Sequence, residues 1–314
     1  MKKLAIVVPC YMEEAVLSKT TQSLSEVLDN LIGENLISPE SFILYVNDGS
    51  DDKTWPLIQH FYDSNRYVCG LNLAGNVGHQ NALVAGLTVA VEHSDIVVSI
   101  DADLQDDVNA IKEMVIKNNE GCDIVYGVRA DRSTDTWFKR STAQAFYKVQ
   151  RFLGVKSVYN HADFRLMSKR AILQLLKYKE RNLFLRSIVP MIGYDTDEVY
   201  YERKSRVAGE SKYPLIKMLG FALDGITSFS IRPIRMVLCI GLTFLIIAFL
   251  IFIWVLYLIM VERAISGWAS VILSIWFSTG CILIGMGVIG EYIGKIYIEV
   301  KNRPRFNIEN VLMK

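Results

Sequence analysis

The stretch whose reading decides the fold is Ser99–Asp107, SIDADLQDD, which follows the apolar residues Ile96, Val97 and Val98. The apolar residues through Ile100 read as a buried strand that runs into carboxylates. Alternate residues of an extended chain point the same way, which would let Asp101 and Asp103 face one ligand together. Two convergent carboxylates at a strand's carboxyl end suit a hard divalent cation carrying a diphosphate. A solvated acidic loop after a strand is the plainer reading of the same residues. The rest of the chain decides between them.

Outward from this stretch, residues 1 to about 130 alternate two patterns. Leu4–Pro9, Phe42–Ser50, Tyr67–Leu73, Asp95–Ile100 and Cys122–Arg129 read as strands, and 14–32, 54–62, 80–93 and 108–118 as helices. Strand–helix alternation implies a mostly parallel sheet covered on both faces. Ligands of such sheets sit at the carboxyl ends of the strands. The polar clusters Pro9–Glu14, Asn47–Asp52 and Asp101–Asp107 all fall there.

Composition narrows the function classes. The 314 residues carry a net charge of +1, which gives no overall basic character and argues against a nucleic-acid partner. Five dispersed cysteines, an odd number with no Cys-x-x-Cys pair, argue against a disulfide framework or zinc site and fit reduced thiols. Hydrophobic residues make up 51% and the mean hydropathy is +0.25, values raised mainly by the last third. Residues 236–261 and 264–290 contain no charge, and each exceeds the roughly 20 residues that cross a bilayer core. With only Glu262–Arg263 between them, they read as a two-helix transmembrane hairpin. Basic residues crowd both outer flanks, so the positive-inside tendency places the N-terminal domain and both termini in the cytoplasm, on the inner face of the plasma membrane. Residues 214–235 read as a juxtamembrane amphipathic helix in the interface, with a core-facing helix of the soluble domain as the competing reading, and 291–314 as a cytoplasmic tail. Ser274, Ser278, Gly280, Gly285, Gly287 and Gly290 in the second span allow close helix packing and lead to an expected homo-oligomer.

The motifs VVPCYMEE, VNDGSDDKT, NLAGNVGHQNALVAGL, DADLQDD, YGVRADR, ADFRLMSK and RVAGESKY occur in that order. The set resembles the inverting family-two glycosyltransferases, in particular the membrane-anchored branch that includes bactoprenol glucosyltransferases and dolichol-phosphate mannose synthases. The resemblance covers essentially the whole chain. It implies a GT-A, Rossmann-like nucleotide-diphospho-sugar transferase domain over residues 1–213. One departure is Met12, where the family usually has Asn.

The resemblance assigns Pro9, Tyr11, Glu13, Asp48, Asn76, Gln80 and Asp101 to nucleotide binding. Tyr11 can pack on a base, Glu13 can accept from ribose or base, and Asp48 can accept from a uracil imide N–H. Gly49 permits close backbone approach to a ligand. Asp101 and Asp103 would hold Mg²⁺ or Mn²⁺ against the diphosphate. His79 could contact phosphate or sugar, or could be an ordinary surface histidine. Asp163, with its neighbour Arg165, is expected beside the acceptor, where it would orient acceptor or metal or take a residual proton; a structural Asp163–Arg165 ion pair is the plainer alternative.

Arg129, Arg203, Arg206, Ser211 and Lys212 are expected to hold a lipid phosphate, through arginine's paired donors and lysine's point charge; a polybasic strip on anionic lipid headgroups is the plainer alternative, and both can hold at once. The implied reaction moves a sugar from a UDP-sugar, glucose before N-acetylglucosamine and with an aminodeoxypentose or mannose behind, to polyprenyl (undecaprenyl) phosphate with inversion. A processive polysaccharide synthase would carry Gln-x-x-Arg-Trp and more spans. A non-catalytic membrane scaffold is opposed by the intact carboxylates and basic cluster.

Overall fold

A computed structural model of the chain describes residues 1–129, 161–180, 185–202 and 267–314, with scattered helical positions between 237 and 257. The expected interfacial segment 214–235 and the expected lipid-phosphate residues Arg203, Arg206, Ser211 and Lys212 lie outside the described residues.

Strand β1 (Leu4–Cys10) is buried along its whole length, as are β2 (Phe42–Asn47), β3 (Val68–Leu73) and β4 (Ile96–Ser99). Apolar strands without alternation need cover on both faces. On one face α1 (Leu17–Gly33) supplies Leu17, Leu24, Leu28 and Leu31, and α4 (Ala110–Asn119) adds Ile111, Met114 and Val115. Helix α2 (Thr54–Ser64) packs Ile58 and Trp55 over Gly70 of β3. The other face is covered by α3 (His79–His93), seated through Gly86. A methyl there would lie 2.5 Å from Val7 Cγ1 and 2.7 Å from Val46 Cγ2, so glycine sets how closely the helix approaches.

Four further strands complete the sheet: β5 (Ile124–Arg129), β6 (His161–Ser168), β7 (Thr196–Tyr201) and β8 (Ile308–Leu312). Their order is β7-β5-β6-β4-β1-β2-β3-β8. β1 runs parallel to both β2 and β4, β2 to β3, and β5 to β7. β6 runs antiparallel between β4 and β5, and β8 lies antiparallel on β3. The sheet is therefore mixed rather than mostly parallel. The reason is local: ADFRLMSK is itself a return strand, and it continues directly into α5 (Lys169–Leu175), whose N-terminus Ser168 caps by accepting the Ala171 N–H. A short helix, α6 (Leu185–Met191), precedes β7.

Where the sequence reading has a cytoplasmic tail, the chain does two other things. Helix α7 (Trp268–Lys301) runs 34 residues, well past Gly290, and ends at Asn302 in the left-handed conformation. Residues 308–312 then join the sheet as β8. Residues 303–314 belong to the same compact unit as the sheet, while α7 and the helical positions from 237 to 257 form a second unit. Within α7, Phe277–Lys301 has a mean hydropathy of 1.5 and is long and apolar enough to cross a membrane. Its apolar side chains, among them Ile282, Leu283, Ile284 and Met286, are exposed. Of the expected first span, the described positions are helical, and a methyl on Gly285 of α7 would lie 3.2 Å from Val237 Cγ1. The described residues thus establish one long apolar helix.

Candidate active site

The register of the sheet gathers the polar loops. Cys10 of β1 pairs with Asn47 of β2, and Val7 with Ser99 of β4, so three parallel strands release their loops at one edge. Because β6 is antiparallel to β4 with Arg165 opposite Ser99, the start of β6 lies at that same edge. Ser99 Oγ donates to the Asp163 carbonyl at 2.6 Å, which fixes Asp163 beside the carboxyl end of β4.

Asp101 and Asp103 do not extend the strand. β4 ends at Ser99, and the pair flanks a turn whose Ala102 is buried and held by Thr20 Oγ1, which donates to the Ala102 carbonyl at 2.7 Å. Asp103 Oδ1 accepts the Gln105 N–H at 3.2 Å, an Asx turn, and Leu104 takes a φ of +53°. The carboxylates therefore share an edge through a turn anchored on α1 and not through extended alternation. Asp101 keeps 43% of its side-chain surface but is otherwise ringed by protein. Burial pushes its carboxyl up to about 6; the Asp163, Asp106 and Asp103 carboxylates add to that, against the pull of His79.

His79, the first residue of α3, bridges this carboxylate to the next. Its Nε2 lies 3.6 Å from Asp101 Oδ1 and 3.9 Å from Asp163 Oδ2. Asp163 is clamped from the far side by two guanidinium groups. Arg165 Nη2 donates to Oδ1 at 2.7 Å and Arg186 Nη2 to Oδ2 at 3.1 Å. Burial would raise the Asp163 carboxyl, yet Arg186, Arg165 and His79 together hold it well below the usual carboxylate range. Arg165 is almost fully buried, and its Nη1 has no hydrogen-bond partner among the described residues.

The nucleotide-side residues divide. Pro9 is buried within β1 opposite Val46 and serves the sheet. Tyr11 is 39% exposed at the open edge. The loops after β1 and β2 are laced together: Met12 N–H donates to Ser50 Oγ, Glu13 N–H to Thr54 Oγ1, and Lys53 N–H to Glu14 Oε2. Met12 stands at a φ of +55°. Asp48 is buried, and its two oxygens accept the Val77 and Gly78 N–H groups at 2.7 and 3.0 Å. It therefore anchors the loop that starts α3, and its oxygens are already engaged before any base arrives. Gly49, at a φ of +62°, abuts that loop's backbone: a methyl would lie 2.5 Å from the Asn76 nitrogen. The close approach is to Asn76, whose own side of the loop faces solvent. Gln80 Oε1 accepts the Leu185 N–H at 3.0 Å, tying α6, and with it Arg186, to α3.

Arg129 ends β5 at the same edge. It pairs with the buried Asp106 at 3.4 Å, and Tyr201 OH donates to the same oxygen at 2.6 Å. This expected lipid-phosphate residue thus braces the loop that carries Asp101 and Asp103. Arg186 and Asp106 are the members that sequence reasoning did not place in the site, and His79 is one it leaves open between a ligand contact and a surface residue. The Gly-punctuated helix start pointed to His79; Arg186 and Asp106 had no local signal.

Among the described residues no three His, Cys, Asp or Glu side chains converge as a metal cage. The two carboxylates of one turn still fit Mg²⁺ or Mn²⁺, which bind through one or two carboxylates plus substrate phosphates.

Residues 5–176 match the family described as glycosyl transferase family 2. The chain belongs to that family. This family-2 glycosyltransferase is 54% identical over 306 residues to the uncharacterized glycosyltransferase YkoT of Bacillus subtilis, covering 98% of this chain and 91% of the relative. It is 40% identical over 314 residues to the bactoprenol glucosyl transferase of Shigella phage SfV, covering 99% and 100%. It is 39% identical over 311 residues to the prophage bactoprenol glucosyl transferase homolog of Escherichia coli, covering 98% and 99%.

Proposed function

We propose that this glycosyltransferase moves a glycosyl residue, glucose first, from a UDP-sugar to polyprenyl (undecaprenyl) phosphate with inversion. The observation that carries the reading is Asp163 held between Arg165 and Arg186 at the edge where Asp101 and Asp103 emerge. A sugar hydroxyl acceptor needs a general base, and a carboxylate neutralised by two guanidinium groups is a poor one. A phosphate monoester is already ionised at neutral pH, with a second pKa near 6. Such an acceptor needs positioning and charge compensation, which this cluster supplies. Relatives of about 40% identity over nearly the full length are named bactoprenol glucosyl transferases, which supports the same acceptor and sugar.

In the reaction an oxygen of the lipid phosphate forms a bond to the anomeric carbon as the bond to the UDP β-phosphate oxygen breaks on the opposite side. No proton need move. Asp101 and Asp103 would hold Mg²⁺ or Mn²⁺, which neutralises charge on the departing diphosphate. His79 Nε2 stands between Asp101 and Asp163, where a protonated imidazole offsets their repulsion. Tyr11 offers a face for the base, and the Asp48-anchored loop offers Asn76. Arg129, Arg203, Arg206, Ser211 and Lys212 are proposed to receive the lipid phosphate.

The long apolar helix supports a membrane location with the catalytic domain and both termini cytoplasmic. Contact between Gly285 and Val237 supports a two-helix hairpin. Gly280, Gly287 and Gly290 have open space around them among the described residues, which supports self-association.

The test is incubation of the detergent-solubilised protein with a panel of UDP-sugars and undecaprenyl phosphate, scored by product mass. A hexosyl-phospho-undecaprenol formed from UDP-glucose is expected. Product with hydroxyl acceptors only would sink the proposal.

A further inference from the structure

Strand β8 is the last in the sequence and reaches the sheet only after α7, yet it is hydrogen-bonded to the donor loops. Glu309 Oε2 accepts from Asn72 Nδ2 at 2.6 Å. Asn72 Oδ1 accepts from Asn47 Nδ2 at 2.7 Å, and Asn47 Oδ1 faces the Ser50 N–H at 3.4 Å. The Ser50 hydroxyl accepts the Met12 N–H at 3.0 Å. The ladder thus crosses β8, β3 and β2 and ends on the loop after β1.

Both asparagines are buried, Asn47 to 3% and Asn72 to 9% exposure, and they are register partners in parallel strands. A buried amide must find partners for its oxygen and its nitrogen. Either end of an asparagine can face either way, so two facing asparagines admit two opposite arrangements. A carboxylate removes the choice, because it only accepts. It draws the Asn72 nitrogen outward, which turns the Asn72 oxygen to Asn47, which turns the Asn47 oxygen to the Ser50 N–H. In the opposite arrangement the Asn47 nitrogen would face that N–H, donor against donor.

We propose that Glu309 is a positioning residue for the nucleotide-sugar: as the acceptor-only end of the Asn72–Asn47 ladder it orients both buried amides, and through them the Asn47–Ser50 turn that carries Asp48 and abuts Asn76. This rests on the reading of that edge as the UDP-sugar site. The segment that returns from the apolar helix is thereby part of the donor site's frame, although Glu309 itself need touch no substrate.

The experiment uses the full-length protein in detergent. UDP binding with Mn²⁺, KM for UDP-glucose, KM for undecaprenyl phosphate, kcat and thermal unfolding are measured for the wild type, Glu309→Lys, Glu309→Gln and the same-strand control Asn310→Lys. Glu309→Lys puts a donor where only an acceptor fits; it is expected to weaken UDP binding and raise the UDP-glucose KM about tenfold, as for loss of a hydrogen bond to a charged group. The lipid KM stays within about twofold, since nothing in the ladder reaches the acceptor side. Glu309→Gln, which can present an oxygen to Asn72, restores donor KM to within about twofold of wild type, and Asn310→Lys matches wild type. If Glu309→Lys does not fold, Glu309→Ala is judged by the same donor-against-acceptor split, with a smaller rise of about threefold. An unchanged donor KM, a parallel rise in both KM values, or a Gln variant as impaired as Lys overturns the inference. Wild-type protein that binds no UDP overturns the donor-site reading along with it; wild type that binds, with unaffected variants, overturns this inference alone.

Discussion

Arg186 Nη2 donates to Oδ2 of Asp163 at 3.1 Å, closing from α6 a clamp that Arg165 begins from the strand itself. The partnership separates two roles that a lone carboxylate near an acceptor could play. Replacing Arg186 with Gln removes one neutralising charge but leaves the strand intact. Transfer to undecaprenyl phosphate is expected to fall by roughly a hundredfold, with UDP affinity within about twofold of wild type. Equal loss of both in calorimetry and steady-state kinetics would show that Arg186 serves the donor instead.

Asp103 is half-buried in a turn held by Thr20 and its own Asx bond, with its carboxylate outside the apolar cluster that takes up Ala102. Asp103→Ala should therefore fold normally, with an unfolding temperature close to wild type. Transfer should drop about a hundredfold or more, and Mn²⁺-dependent UDP binding should vanish, because one of two proposed cation ligands is gone. Chelation of wild-type protein should reproduce the loss and added Mn²⁺ or Mg²⁺ reverse it; full activity in chelator would remove the cation from the mechanism.

Gly49 combines a positive φ with a backbone neighbour 2.5 Å from where a Cβ would sit. A side-chain tip could swing away, but the Asn76 nitrogen belongs to a loop pinned by Asp48. Gly49→Ala should cost about 1–2 kcal/mol from conformation alone and displace the loop, weakening UDP binding about tenfold or more. Titration calorimetry decides, and unaltered UDP affinity would mean that the loop does not contact the nucleotide.

Met12 adopts the left-handed conformation at a φ of +55°, where an L residue with a flexible apolar side chain gains nothing and Asn is favoured. Met12→Asn is expected to stabilise the domain by about 0.5–1 kcal/mol in chemical denaturation. A destabilised variant would indicate that the Met12 side chain has a partner of its own.

Asp123, 5% exposed at its side chain, accepts from Arg170 and Ser168. The Arg170 hydrogen bond, and then that of Ser168, hold its carboxyl below the usual value despite its burial. A depressed carboxyl binds fewer protons folded than unfolded, so its stabilisation is complete above the unfolded value of about 3.9 and is lost as pH falls through the lower folded value. Asp123→Asn should cost about 1–2 kcal/mol at pH 7, with the Arg170 share discounted because that guanidinium faces water. The difference between the two proteins' melting curves should close below pH 4 or so; a gap independent of pH would assign the effect to shape instead of charge.

The five N-terminal strands and four helices are legible in the sequence because burial on both faces leaves unbroken apolar runs and turn residues punctuate them. The edge that gathers Tyr11, Asp48, Asp101 and Asp163 follows from strand polarity, once β6 is recognised as the return strand. What is illegible depends on contacts that no local pattern encodes. Ile308–Leu312 is short and half polar, and only its pairing with β3 makes it a strand. Arg186 looks like one surface arginine among many until α6 is tied to Gln80. Asp48 and Gln80 read as ligand groups, and each also accepts backbone N–H groups of another segment, partners that no local pattern announces. An extended chain would align Asp101 and Asp103, and the buried Ala102 and the left-handed Leu104 put them on a turn instead.

The pairing of β8 with β3 has a consequence for topology. The polypeptide begins in this sheet, leaves it, and re-enters the same sheet at its last strand. A path that starts and finishes on one side of a lipid sheet traverses it an even number of times. Helix α7, at 34 residues and about 50 Å, is long enough for one traverse. The proposed crossing by α7 therefore implies a second crossing by the chain between β7 and β8.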